Sequence, residues 1–268
     1  MLAHHPSTAA FICRKLAVRF VNDNPPQSLI DKMGENFMQH DGEIKQVLIA
    51  MVSSAEFWEP QAMREKTKSP FELAISAVRV LDADVKMPFM LYQWISKMGQ
   101  NLYYYQAPTG FPDKAPYWIN TGSLLNRMNF GLAFVSEKIP GISFNLSALN
   151  NNHEPESAAA ALNAYSKLML PERNVAATIK RLTPLINDPA IQQKIGEAAG
   201  KSAASNDTNI KAGSETIEDE IMDKRLAKQM LRKGNKNKEI PIATAAGNNS
   251  MLAQVVGIIL GSPEFQRR

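Results

Sequence analysis

Cysteine is nearly absent: Cys13 is the only one in 268 residues. No disulfide can form within the chain, and a zinc site built on cysteines lacks its ligands. Long apolar runs are absent as well. No stretch approaches the ~18 uninterrupted apolar residues that a membrane-crossing helix needs. The opening MLAHHPSTAAFICRKL lacks the order of a signal peptide, because Arg14 and Lys15 break its apolar run and no positive segment precedes it. Sustained apolar–polar alternation, the mark of half-buried strands, occurs nowhere. Also missing are the Gly-x-Ser-x-Gly elbow, the Walker loop and the dinucleotide fingerprint.

Histidine is sparse. His4, His5, His40 and His153 are the four in the chain, and none shows the i, i+4 spacing of a helical metal pair. Adjacent His4 and His5 do not share a helix face. No metal site is therefore expected from this chain alone, and no cofactor is implied. His5, just before Pro6, is left as a capping or orienting group, or as one ligand of a site completed elsewhere. Cys13 lies in an apolar helical run and reads as a small buried hydrophobe rather than a reactive thiolate.

What is present is a globular composition, 44% apolar and 21% charged. A chain this long buries about three-quarters of its unfolded surface. Basic residues exceed acidic ones by only 30 to 26, a weak footprint for nucleic acid despite a pI near 9.0. The densest basic run, Lys224 to Lys238, follows the acids Glu215 to Asp223. That order suits the dipole of one surface helix, so nucleic acid is not an expected partner.

The periodicity is helical almost throughout. A first helix covers 6–21, with Pro6 in its first position and Ile12, Leu16 and Phe20 inward. Pro25-Pro26 opens a second, with Leu29, Ile30, Met33 and Phe37 on one face. Asp41-Gly42 introduces a third, with Ile44, Val47, Leu48, Met51 and Val52 inward. Ser69-Pro70-Phe71-Glu72 is the clearest start signal: an N-cap serine, a proline at the first position and a glutamate at the third. Phe71, Ile75, Val78 and Leu81 follow at helical spacing.

Another helix is expected at about 88–99, with Leu91, Ile95 and Met98 inward. Residues 100–120 break the pattern with three consecutive tyrosines and three prolines, and read as a long aromatic loop. Helix resumes at 121–138 with Leu124, Leu125, Met128, Leu132 and Val135. Residues 140–155 are turn-rich. Helices follow at 156–169, at 172–186, after Asp188-Pro189, at the charged 216–233 and at 246–261, with a flexible segment at 200–214. The expected fold is therefore all-α, an irregular array of about ten helices. It is divided into an N-terminal part, 1–139, and a C-terminal part, 140–268, of one structural domain. LIAMVSSAEF at 48–57 and VGIILGSPEF at 256–265 echo each other. Either two helices stop with similar chemistry, or a structural repeat underlies them.

The residues that suggest chemistry are polar and aromatic. Lys66 and Lys68 precede a capped helix that carries Arg79. Gln100, Tyr104, Phe111 and Trp118 belong to the aromatic loop, and Arg127 and Asn129 lie on the next helix. Flat aromatic faces beside directional donors are what sugar or peptide recognition uses. The alternative is a folded-back plug, in which the aromatics fill the core while Arg127 and Lys68 satisfy loop carbonyls and helix ends.

These residues also carry a resemblance. LAHHPSTAAFICRKL (2–16), FVNDNPP (20–26), residues 47–57, KTKSPFELAISAVR (66–79), residues 98–100 and 108–112, Trp118, LLNRMNF (124–130) and LGSPEFQRR (260–268) occur in order. In that order they resemble the C-terminal half of the bacterial family called domain of unknown function 1800. Phe111 stands where the family loop commonly carries tryptophan. The resemblance implies a large, mostly helical protein of no established activity. It also implies further histidine- and tryptophan-bearing motifs upstream, so the chain is expected to be truncated and to self-associate. Members often lie beside genes for exported proteins, which implies a periplasmic or secreted setting. Two functions are carried forward. One is a helical binding or scaffold module of the cell envelope, with a partner protein or polymer ligand. The other is a hydrolase or metal-dependent enzyme completed by the upstream half, with His5, Arg14, Lys68 and Arg127 contributing.

Overall fold

His5 begins the first helix, α1 (Pro6–Phe20), by accepting a hydrogen bond at Nδ1 from the Ser7 amide, 3.1 Å away. This is the capping role its place before Pro6 allowed. A computed structural model describes residues 2–60, 62–171, 173–186 and 250–268. After α1 come α2 (Gln27–Gln39), α3 (Ile44–Val52) and a single 3-10 turn at Ala55–Phe57. Next are α4 (Pro70–Val80), β1 (Asp84–Val85), α5 (Pro88–Lys97), α6 (Ala115–Trp118) and α7 (Thr121–Val135). Then follow β2 (Ile142–Ser143), α8 (Leu146–Leu149), α9 (Ala158–Met169), α10 (Val175–Ile186) and α11 (Ser250–Gly261). The expected helix at 188, the flexible 200–214 and the charged helix at 216–233 lie outside the described residues.

The fold is all-α. The one departure among the described residues is a two-residue antiparallel pairing, Asp84 opposite Ser143 and Val85 opposite Ile142. Two residues are too few for alternation to show in a sequence. The aromatic loop likewise ends in the short α6 rather than running irregular to 120.

Apolar side chains gather into two cores. The smaller belongs to α1, α2 and α3, with Leu29, Ile30, Met33 and Val47 fully buried. The larger draws on α4, α5, α7, α9, α10 and α11. It takes residues from both sides of 140, so the expected boundary at 140–155 falls within it.

Three helices present a different face from the one their spacing suggested. In α1 the buried row is Ala9, Cys13 and Ala17; Ile12 and Leu16 flank it, and Phe20 is exposed. Small residues let α2 approach closely, and burial pushes the Cys13 thiol up to about 11. In α3, Val47 and Met51 are buried while Ile44 and Val52 face outward. In α7, Leu132 and Val135 are buried as expected, but Leu124, Leu125 and Met128 are exposed. Arg127, Phe130 and Phe134 point inward instead. In all three helices apolar residues occur on more than one face, so spacing alone does not choose between them.

α7 and α11 cross through glycines. A Cβ on Gly257 would lie 3.1 Å from Val135 Cγ2 and 3.2 Å from Leu132 Cδ2. One on Gly131 would lie 3.4 Å from Leu260 Cβ. Gly257→Leu should therefore overpack the larger core and cost about 2 kcal/mol. Gly34→Ala, in α2 with nothing within 4 Å of the new Cβ, should stabilise by about 0.5–1 kcal/mol. Denaturant unfolding of the two variants checks both signs.

Candidate functional site

A polar seam lies where the two cores meet, and its hub is the capping-box glutamate of α4. Ser69 Oγ accepts from the Glu72 amide at 3.3 Å, and the Ser69 amide donates to Glu72 Oε2 at 2.8 Å. The other oxygen, Oε1, takes Arg19 Nη2 from α1 at 3.0 Å and Arg268 Nη1 from the tail at 2.7 Å. Arg19 also pairs with Asp113 of the aromatic loop. Burial pulls the Arg19 guanidinium down, but Asp113 and Glu72 outweigh it and hold its pKa above the ordinary value. Asp23, just after α1, binds Lys66 Nζ at 2.6 Å through one oxygen and the Ala115 amide at 2.6 Å through the other. Lys66, only 4% exposed, also donates to the Asp113 carbonyl.

The tail closes the seam from the far side. Lys68 N donates to Gln266 O at 2.8 Å and Arg268 N to Lys66 O at 2.8 Å, a short antiparallel bridge centred on Thr67 and Arg267. Arg127, 1% exposed, donates Nη2 to Lys68 O at 2.8 Å and Nη1 to Gln266 Oε1 at 3.4 Å. Its Nε is buried with no partner among the described residues. Burial pushes its pKa down to about 10, with Glu72 opposing. Lys68 Nζ sits 4.2 Å over the Phe265 ring. Burial first, then Arg173, pushes it down to about 8.

Between these elements is a cleft of about 200 Å³, walled by Phe71, Phe111, Pro112 and Trp118 and edged by Arg19, Glu72, Asp113 and Arg268. Gln100 lines it and accepts at Oε1 from the Phe71 amide, 2.8 Å away, which satisfies a free donor at the start of α4. The aromatic loop folds onto itself here. Tyr105 meets Phe111 at 4.5 Å, and Trp118 meets Tyr117 at 4.7 Å and Phe111 at 5.6 Å. Tyr103 and Tyr104 turn outward and are exposed.

Of the expected residues, the cleft holds Gln100, Phe111 and Trp118 together. Lys68 and Arg127 meet behind it. Tyr104 is outside it, Arg79 is exposed at the far end of α4, and Asn129 is half-buried on α7 with an unpartnered Oδ1 among the described residues. Arg14 is exposed and donates to Gln27 at 2.7 Å. His5 caps the opposite end of α1 from Arg19, about 20 Å along the axis. No group of three or more His, Cys, Asp and Glu is placed to hold a metal among the described residues.

Sequence reasoning missed Arg19, Asp23, Asp113 and Arg268, and it saw Glu72 only as a cap. Single charges within amphipathic helices and loops carry no spacing signal. The available hint was that FVNDNPP, KTKSPFE, residues 98–100 and 108–112, Trp118, LLNRMNF and SPEFQRR all supply residues to this one seam.

Glu72→Gln preserves the capping-box geometry but removes the charge shared by Arg19 and Arg268. It should cost about 2 kcal/mol, given the partial burial. Glu72→Ala should cost about 1 kcal/mol more through the lost cap. Lys68 gives a pH test. The folded chain releases the Lys68 proton near 8 while the unfolded chain holds it to the ordinary value, 10.5. The unfolded state therefore binds more protons across that window, and stability should rise with pH through it. Lys68→Met should flatten that rise in denaturant midpoints measured across the same range.

Comparison with known proteins supplies the family. The model described as protein of unknown function (DUF1800) matches residues 1–267. Searches of the curated proteins and of the solved structures found no match. The chain, covered almost end to end, belongs to the DUF1800 family of proteins of unknown function.

Proposed function

We propose that the chain is a helical binding module of the cell envelope. Its contact surface is the aromatic loop at 100–120 with the cleft behind it, and it works on an extended polymer or a partner protein. The observation that carries this reading is the cleft itself: aromatic walls and a buried amide side chain, with Tyr103 and Tyr104 projecting fully or largely into solvent beside it in sequence. Exposed tyrosines on a loop anchored by packed rings are a common form of contact surface. Leu124, Leu125 and Met128, exposed on α7 just after the loop, add apolar area to the same stretch of chain.

A hydrolytic or metal-dependent reading has less support. A carboxylate does general acid–base work only where it is free to exchange a proton. The carboxylates of Asp23, Glu72 and Asp113 are each committed to a cation. Only Lys68 and Arg127 of the proposed catalytic set are in contact, through the Lys68 backbone.

Co-sedimentation with isolated bacterial envelopes tests the proposal. The full chain should sediment with them. A Tyr103→Ala, Tyr104→Ala double variant should lose at least about fivefold in retention while melting as the parent does, since both rings are exposed. Failure of the parent to sediment, or retention unchanged in the double variant, overturns the reading.

A further inference from the structure

The cleft is balanced in charge and unsaturated in hydrogen bonds. Its lining has two cations, Arg19 and Arg268, and two anions, Glu72 and Asp113, already joined to each other. A charged ligand would have to break an ion pair to be recognised, which leaves a partly buried charge alone. Uncharged polar groups remain available. Gln100 is 8% exposed and uses only its Oε1, so its amide N–H groups have no partner among the described residues. The Thr67 hydroxyl, on a residue 8% exposed, and the Trp118 indole N–H, on a residue 5% exposed, make no hydrogen bond among the described residues. Asp113 gives one oxygen to Arg19 and keeps the other as an acceptor.

Three side chains whose unused hydrogen-bonding atoms remain open to solvent line one small cavity. A ligand in the cleft can pair with these groups without displacing an existing bond, so it is selected by what they donate and accept. That ligand must both donate to a carboxylate oxygen and accept from amide and indole N–H groups. Hydroxyls do both. It must also present apolar surface to Phe71 and Phe111, and it must be small. About 200 Å³ is below the ~300 Å³ at the lower end of pockets for drug-sized molecules, so a single ring fills it.

We infer that the cleft binds one uncharged, polyhydroxylated ring, a hexose or pentose unit of a neutral polysaccharide. The inference rests on the binding-module reading and names its ligand class. The Trp118 and Gln100 N–H groups and the Thr67 hydroxyl meet ring hydroxyls, and the free Asp113 oxygen accepts from another. Phe71, half-exposed at the mouth, offers a face for the C–H side of the ring. The polysaccharide continues outward on either side of the bound unit.

Isothermal titration of the full chain with cello-, malto-, manno- and xylo-oligosaccharides tests this, with oligogalacturonate and an alanine-rich peptide alongside. At least one neutral oligosaccharide should bind. Thr67→Val, which removes a hydroxyl and keeps the shape, and Trp118→Phe, which removes the indole N–H together with one ring, should each weaken it about tenfold. Thr67→Val keeps a β-branched residue in the bridge to Arg267, so it remains informative if Trp118→Phe folds poorly. No binding by any neutral oligosaccharide, or binding unchanged in both variants, overturns the inference. Preferential binding of oligogalacturonate or the peptide also overturns it, but leaves the binding-module reading standing. Silence from every probe together with no envelope retention overturns both.

Discussion

The carboxylate of Glu72 is the constraint on which the arrangement depends. One oxygen closes the first turn of α4, and the other is shared by a guanidinium from α1 and one from the tail. α1 belongs to the smaller core, while α4 and the segment ending in Phe265 belong to the larger. The two cores share no buried apolar residue, so their junction is polar. Asp23 with Lys66, and Arg19 with Asp113, extend the same device. A polar junction gains little from area, but it is specific: displacing one partner strands a half-buried charge, so the bodies meet in one way.

Each core is also finished in the same manner. Ser54-Ala55-Glu56-Phe57 ends α3, and Ser262-Pro263-Glu264-Phe265 ends α11. Glu56 takes Lys32 of α2 at 2.7 Å, and Glu264 pairs with Arg181 of α10. Phe57 packs on the smaller core and Phe265 is buried in the larger. In both glutamates the second oxygen is buried without a partner among the described residues. The Lys32 ammonium holds the Glu56 carboxyl down at about 2, helped by Ser28. The echo in sequence is thus an echo in mechanism: serine turns the chain, phenylalanine returns it to the core, and glutamate fastens it to a neighbouring helix.

Most of the helical fold was legible because its signals are local. Ser69 and Glu72 announce α4 by chemistry confined to four residues, and Leu29, Ile30, Met33 and Phe37 of α2 form one unambiguous face. α7 was legible as a helix but not in its orientation. Its apolar residues run around the cylinder, and what turns Arg127 inward is a carbonyl of Lys68 and the side chain of Gln266, both distant in sequence. The candidate site divides the same way. Gln100, Phe111 and Trp118 could be found because a long proline-rich aromatic loop is unusual in itself. Arg19 and Arg268 could not, because an arginine near the end of a helix and one at the end of a basic tail read as solvated charge until the fold brings both to one carboxylate.

The placement of the cleft has a further consequence. Its walls come from both bodies: Arg19 from α1 on one side, and Gln100, Ser69 and Arg268 on the other. A ligand seated there touches groups whose relative position is set by ion pairs rather than by a shared apolar core. It adds contacts at the junction that is held least by area, so its binding energy appears as stabilisation of the joined state. Arg127, buried, and Lys68, partly buried, lie directly behind this junction with no carboxylate bonded to either among the described residues. They raise the cost of closing the seam, and the bonds of Arg127 to the Lys68 carbonyl and Gln266 only partly offset it. A junction made specific by Glu72 and loaded with two desolvated cations would gain stability from a filled cleft, whereas a continuous apolar core would hold the two bodies together whether or not anything were bound.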